Sequence, residues 1–515
     1  ILGIMKEVSD DMLTKNKKGN FQTEIINLDE IVPQDHILRI IEKEFDFSFI
    51  YEYVENLYSI YGRPSVDPVV LFKCHFLKVY YGISSLRRTY DEIQYNMLYK
   101  WFLGYQINEK TPNYSTYSKN YERKFKTLEE DLLETFFYKV LKLLEEKDVL
   151  DLSNIFIDST HTKANANKKK VTKQMVEIIA NEYKDELEKE IEITKKNLIE
   201  EDFDDNEIVI NDEQINHEKK VEKIVEKKEI LKSTIDPDAG VLYKDEKEKM
   251  IAYNTSIISD KRNYILSYDT NPSNMHDSKA FYPTYKKFKD RFGTDKTNYF
   301  AGDAAYITTH ICKTVTEDGI KLCLPYKRPM TKQGYFKKYE YIYDEENNIY
   351  ICPNEKDLIP TAVDKNGYIK YVSDAKDCLH CPFKKQCTKS KNKVILRHVW
   401  EAYKEQVVDE YRHELDVIEV YKTRPQHVER IFADAKMKHG LRYTLFKGQR
   451  RVSSEIGLVF ATMNLKKYAS FVKEKDNLSL KLVNLLYFLE DILKKLSLEV
   501  KKRQICKNFT YLSTV

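Results

Sequence analysis

Three carboxylates stand where a divalent-metal site could form. Asn154-Ile155-Phe156-Ile157-Asp158-Ser159-Thr160-His161 runs three β-favouring apolar residues straight into an aspartate. So short a run of Ile and Phe predicts a strand buried on both faces, with Asp158 held rigidly at its end. Asn298-Tyr299-Phe300-Ala301-Gly302-Asp303 repeats the arrangement, and Gly302 lets the backbone turn there. Glu429 lies in a run of helical period. Val428, Ile431, Phe432 and Ala435 fall at i, i+3, i+4 and i+7, a buried stripe, and Glu429 shares the neighbouring stripe with Lys436. Any one of these carboxylates is more simply a surface acid. Three on three separate elements are what a two-metal phosphodiester site needs. Tyr421 and Arg424 come just before Glu429, and Arg is the residue type that holds a phosphate bidentately. His161 and His276 lie near the strands and read as structural histidines.

A second constellation is made of sulfur. Cys378 and Cys381 form a Cys-x2-Cys pair, with Cys387 and Cys352 in reach. Four such thiols can enclose a structural Zn²⁺ ion, and thiols in a lysine-rich loop make poor core. Cys74, Cys312, Cys323 and Cys506 fall within helical or strand patterns and read as core.

The elements that must position these groups follow from periodicity and caps. Residues 1–150 read as helices. Asp67-Pro68 caps an apolar helix that stops at Gly82, Ser84 or Ser85 caps the next, and a third ends at Gly104. Arg87 and Arg88 face outward on the middle one, as a helix-turn-helix-like DNA module would have them, although a plain bundle is the simpler reading of that stretch alone. Residues 113–150 continue as helix, with Phe125, Leu128, Leu132 and Phe136 in its stripe.

Residues 171–240 read as a charged antiparallel helical hairpin. Its stripes are Ile179, Tyr183, Leu187 and Ile191, then Val221, Ile224, Val225 and Leu231. A strand pair around Asp260-Lys261-Arg262, a helix, the strand to Asp303, a helix and the strand to Leu324 follow. Residues 326–415 alternate tyrosines with charge and suggest short antiparallel strands around the cysteines. The fold class is therefore α/β. Its parts are a helical domain (1–150), a core with a mixed five-stranded sheet in RNase H-like order (151–170, 241–325 and 416–475), the two inserts, and a C-terminal helix and tail (476–515).

Net charge divides unevenly. Residues 171–240 hold 11 Lys against 21 Asp or Glu, a net of −10, so the rest of a chain whose total is +3 carries +13. A basic body is the electrostatic footprint of a nucleic-acid binder. Eight cysteines in 515 residues are too few for a secreted disulfide framework. There is no run of about 20 apolar residues and no signal peptide, so the expectation is a cytoplasmic, nucleoid-associated protein with no membrane partner.

These motifs together resemble the DDE transposases of bacterial insertion sequences, most closely the 1182 group, over roughly residues 25–470. The most specific pieces are Tyr81-Gly82-Ile83-Ser84-Ser85-Leu86-Arg87-Arg88, Asp158 through Asn167, Gly302-Asp303-Ala304-Ala305-Tyr306, and Val428-Glu429 through Lys436. The resemblance implies that Asp158, Asp303 and Glu429 are a catalytic triad binding Mg²⁺ or Mn²⁺. It implies that Tyr421, Arg424 and Lys436 belong to a tyrosine–arginine–glutamate–lysine signature at the DNA, with Arg87 and Arg88 in the DNA-reading domain. One spacing departs: the signature has three residues between its Arg and Glu, and here there are four. The implied partners are double-stranded DNA, as element ends and target, and a second copy of the chain, since joining two ends requires at least a dimer. The alternatives are an RNase H-like nuclease or resolvase and a non-catalytic DNA-binding descendant. A gene lying between short inverted repeats would favour the transposase.

Overall fold

Side-chain caps set the N-terminal helices. The computed structural model describes residues 27–58, 61, 65–123, 131–178, 183–201, 226–244, 248–326 and 331–512. Its first helices are α1 (Leu28–Ile31), α2 (Ile37–Glu44), α3 (Phe49–Val54), α4 (Pro68–Tyr80), α5 (Leu86–Tyr95), α6 (Met97–Leu103), α7 (Tyr114–Arg123) and α8 (Leu132–Glu146). The Asp67 carboxylate accepts from the Val69 and Val70 amides at the start of α4, with Pro68 at the first helical position. Ser85 caps α5, and Gly104 ends α6 in the left-handed region. The single helix expected over 113–150 is two helices, because Asp131 caps α8 anew by accepting from the Leu133 and Glu134 amides. Phe125 and Leu128 lie outside the described residues.

β1 (Asn154–Lys163) is the centre of the main sheet. Next come β2 (Val171–Ile178), α9 (Lys184–Glu201), β3 (Glu226–Ser233), β4 (Gly240–Lys244), β5 (Glu248–Asp260), β6 (Ile265–Pro272), α10 (Asp277–Phe292), β7 (Tyr299–Ala301), α11 (Thr309–Glu317) and β8 (Lys321–Cys323). The sheet order is β4-β5-β1-β7-β8, with β6 also on β5. β5 runs antiparallel to β1, β4 and β6, while β1, β7 and β8 are parallel. The sheet has six strands where five were expected. β5 is long enough to pair β4 along one half (Lys244↔Glu248 to Gly240↔Ala252) and β6 along the other.

Both faces of β1 are covered. Ile155 and Ile157 pack with Phe281, Tyr285 and Val315 of α10 and α11. Phe156 points the other way, toward Val417 and Val428. All three are fully buried, and a buried Phe is worth about 3–5 kcal/mol against Ala.

Among the described residues the helical hairpin expected over 171–240 is not seen: its two ends pair as an antiparallel ribbon, β2 against β3, and α9 follows β2. The β-branched residues Val171, Thr172, Val176 and Ile178 favour the extended chain, and the ladder from Val171↔Ser233 to Ile178↔Glu226 satisfies its backbone. Leu187 and Ile191 of the stripe do lie on α9 and, with Tyr183 just before it, pack on Trp400. Ile179, Val221, Ile224 and Val225 lie outside the described residues.

The second insert is a five-stranded antiparallel sheet of β9 (Ile342–Asp344), β10 (Ile349–Ile351), β11 (Asp357–Val363), β12 (Tyr368–Ser373) and β13 (Val394–His398), with a core of Tyr341, Tyr350, Leu358 and Tyr371. Two short helices, α12 (Ala375–Leu379) and α13 (Lys384–Cys387), join β12 to β13 and carry Cys378 and Cys387.

The expected zinc cluster finds no support in the side chains as they stand. Cys378 Sγ lies 3.0 Å from Ser373 Oγ, and Cys387 Sγ lies 3.1 Å from the Tyr341 hydroxyl. Cys352 and Cys387 pack against the tyrosine-rich core, and burial raises the Cys387 thiol pKa. Among the described residues no three His, Cys, Asp or Glu side chains gather closely enough to hold an ion.

The chain closes with α14 (Glu401–His413), α15 (Leu415–Arg424), a π-helical turn at Pro425–Glu429, α16 (Arg430–Lys438) and α17 (Gln449–Leu512). The C-terminal helix expected from residue 476 is the far part of one helix of 64 residues that begins at Gln449, about 96 Å at 1.5 Å per residue. Among the described residues no helix is long and apolar enough to cross a membrane.

The N-terminal helices do not form a core of their own. Phe45, Phe72 and Phe136 share one hydrophobic cluster with Tyr253 and Tyr268 of the sheet and with Phe432 and Phe460 of α16 and α17. A buried hydrogen bond, His75 Nε2 to the Glu455 carboxylate at 2.8 Å, ties α4 to α17. Gly82, at φ +64°, lies so close to α16 that an added Cβ would stand 2.3 Å from the Lys438 carbonyl oxygen. The neighbouring His439 ring lies 2.9 Å from the Val79 carbonyl. Gly82→Ala is therefore expected to destabilise the fold by about 1–3 kcal/mol, from backbone strain and this clash together. Chemical denaturation checks it, and an unchanged midpoint would show that the α4–α16 junction yields freely.

Candidate active site

Asp158 sits where β7 stops. β1 and β7 are parallel with Phe156 opposite Ala301, so Asp158 and Asp303 each lie two residues beyond that pair on adjacent strands. β1 itself continues to Lys163 against β5, which places Asp158 within the strand and not at its end as expected. Gly302 is required here, because a Cβ would meet Ile157 at 2.9 Å and Leu324 at 3.1 Å. Asp303 then caps a short turn, Ala304–Tyr306, by accepting from the Ala305 amide at 2.9 Å.

The helical side of the site comes from the π turn. Arg424 Nη2 lies 2.8 Å from Asp158 Oδ2, and Arg424 Nη1 lies 3.4 Å from Glu429 Oε1. One guanidinium therefore bridges two of the three carboxylates. The π turn explains how it can. In an α-helix, residues five apart point about 140° away from each other at 100° per residue. An i→i+5 turn accommodates one more residue per turn and brings positions five apart back to one face. The extra residue between Arg424 and Glu429 is thus absorbed locally. Val428 stays fully buried, and His427 stacks on Phe156 at 4.1 Å.

Burial pushes the Asp158 carboxyl up to about 6; Arg424 pulls against this, and the nearby Asp303 and Asp277 charges add to it. The Tyr306 hydroxyl is raised by burial and then by the Asp277, Asp158 and Asp303 charges. Arg424 is buried too, and its Nε finds no partner among the described residues.

The other expected site residues are more dispersed. Tyr421 packs edge-on against Tyr411 at 5.4 Å beside the Phe156–Val428 cluster, a packing role visible in the geometry. Lys436 is half-buried on α16 and already engaged within the chain, while the nearby Asp434 pairs with Lys438 at 2.7 Å. Arg87 lies over the Tyr114 ring and Arg88 bonds Glu92, both exposed on α5. His276 caps α10, as a structural histidine should. The sequence reading missed Asp277, Asn254 and Ser159, whose side chains bond to one another beside Asp158. Nothing in their spacing marked them.

Two family models match the chain. One, described as a transposase domain (DUF772), covers residues 26–123, and the other, described as a transposase DDE domain, covers residues 351–469. Together the two matches support a DDE-type insertion-sequence transposase. No curated protein matches it. In this transposase the first match spans α1 to α7, and the second spans Arg424, the π turn and Glu429 but neither Asp158 nor Asp303. A DDE domain implies an RNase H-like core, and the mixed sheet with Asp158 on its central strand is the part of the transposase that would supply it.

Proposed function

We propose that this transposase cuts phosphodiesters at the terminal inverted repeats of its element and joins the freed ends to target DNA, with Asp158, Asp303 and Glu429 as the catalytic carboxylates. The observation that carries the reading is the Arg424 guanidinium between Asp158 and Glu429, with Asp303 just past the end of the adjacent strand β7. A positive group already sits between Asp158 and Glu429, and an all-oxygen donor set of three carboxylates fits Mg²⁺ or Mn²⁺. As the side chains stand they do not enclose an ion, so Arg424 must give way for Asp158 to ligate one. When bound, the metal lowers the pKa of an attacking water or DNA 3′-hydroxyl and stabilises charge developing on the phosphate.

The chain's own residues do the positioning. β1 and the turn after β7 fix two carboxylates on a rigid sheet, and the buried α16 stripe fixes the third from the helical side. Arg424, once released, is placed to hold a phosphate oxygen bidentately. Tyr421, Lys436, Arg87 and Arg88 remain proposed DNA contacts, with two copies of the chain bringing two ends together.

The test is an in-vitro reaction of the purified chain with DNA carrying its element's ends and a circular target, in Mg²⁺. Joined products are expected. Cleavage without joining would favour a nuclease or resolvase, and end binding without cleavage would favour a non-catalytic descendant.

A further inference from the structure

The last helix runs on past the body of the protein. Up to Lys473, α17 is packed: Leu465, Tyr468 and Ala469 are buried in the cluster shared with the N-terminal helices, and Lys473 pairs with Asp35 at 2.7 Å. From Glu474 the surroundings change. Every described side chain from Glu474 to Leu482 is exposed, on all sides of the helix, yet α17 continues to Leu512. Leu478 and Leu482 are 60% and 54% exposed there, and Phe471 just before them is 45% exposed. Helices draw most of their stability from burying an apolar face, and the described side chains of this segment bury none.

The sequence supplies such a face. Leu478, Leu482, Leu485, Leu489, Ile492 and Leu496 are separated by steps of 4, 3, 4, 3 and 4. That alternation is the a and d pattern of a heptad repeat, which places all six on one stripe of the helix. Phe471 extends the stripe backward by one heptad, with Lys475 the one polar residue in it, and Leu486 and Leu493 widen it at e positions. It ends sharply, because the next two positions of the pattern are Glu499 and Arg503. From 471 to 496 it runs for about 39 Å at 1.5 Å per residue, more than three heptads.

We propose that residues 471–496 of α17 form a coiled coil with the same residues of a second copy of the chain. A heptad stripe is complementary to itself, since the knobs of one helix fill the holes between identical knobs of the other. A two-fold pair uses the same patch on both copies, so it needs no second surface. The proposal deepens the reading in which two copies bring two DNA ends together, and rests on it for the identity of the partner. It adds that the copies pair before DNA is bound.

The test is sedimentation velocity of the full-length chain without DNA, at micromolar concentration. The wild type is expected to be a dimer. Leu485→Glu with Leu489→Glu puts charge at a d and an a position while keeping good helix formers. The double variant is expected to pair on the order of 10³-fold more weakly, because each copy loses buried leucine, and to sediment as a folded monomer. Leu482→Glu, at a side chain 54% exposed in the single chain, is expected to act in the same direction and replaces the double variant if that does not fold. Leu498→Glu lies outside the stripe at a c position and is expected to leave the dimer intact. A monomeric wild type overturns the proposal, including one whose charged variants melt earlier because the chain covers its own stripe. A dimer that survives the charged stripe, or is lost equally with Leu498→Glu, overturns it too. Pairing is read apart from the chemistry: a monomer that still joins ends sinks the coiled coil alone, and a dimer that neither cuts nor joins sinks the transposition reading alone.

Discussion

Asp303→Asn is expected to lower DNA cleavage in Mg²⁺ on the order of 10⁴-fold, the scale on which removing a central catalytic group acts, while the fold and end binding persist. The substitution is chosen because the cap survives it. Asp303 Oδ1 accepts from the Ala305 amide, and an asparagine oxygen can accept in its place, so the turn to Tyr306 should hold. What disappears is a negative charge just past the end of β7. Cleavage of labelled element ends, alongside circular dichroism and end-binding titrations, measures all three properties. Near-normal cleavage would remove Asp303 from the site, and loss of end binding would assign it to DNA contact instead.

The second large effect concerns the guanidinium. Arg424→Ala should cost about 3–5 kcal/mol in metal-free buffer, because it strands the buried Asp158 carboxylate without its cation. The Glu429 leg contributes little to this, since that side chain is 57% exposed and its contact is longer. Mg²⁺ should then recover more stability in the variant than in the wild type, because in the wild-type chain an incoming ion must first displace Arg424. Full occupancy at 100 times the dissociation constant is worth about 2.7 kcal/mol. Thermal melts of both proteins with and without Mg²⁺ provide the comparison. Equal metal-induced shifts would mean that Arg424 and the metal do not compete.

Much of this architecture could be read from residue types. The caps at Asp67 and Ser85, the doubly buried run Ile155 to Ile157 and the tyrosine-rich antiparallel insert each follow from a local rule that tertiary packing did not override. The ribbon of β2 and β3 was not legible, because its two strands are separated in sequence by α9 and by residues 202–225, and each alone is short and charged. The zinc reading is unsupported for a different reason. Cysteine spacing constrains where thiols can go, but Ser373 and the Tyr341 hydroxyl stand close enough to take two of them. At the site, Asp158, Asp303 and Glu429 were visible because apolar runs lead into them or surround them. Asp277 and Asn254 were not, since their roles come from the pairing of β5 with β1 and from where α10 begins.

The π turn bears on how such chains can be found and how they could have diverged. A one-residue insertion in a helix ordinarily rotates everything after it and would scramble the contacts of α16 with the core. Here the disturbance ends within five residues. A text pattern demanding a fixed gap between arginine and glutamate would pass over this chain, whereas one written as a separation between guanidinium and carboxylate would retain it. On the resemblance to that signature, a four-residue gap does not by itself mean a decayed site, because the π turn keeps Arg424 facing Glu429.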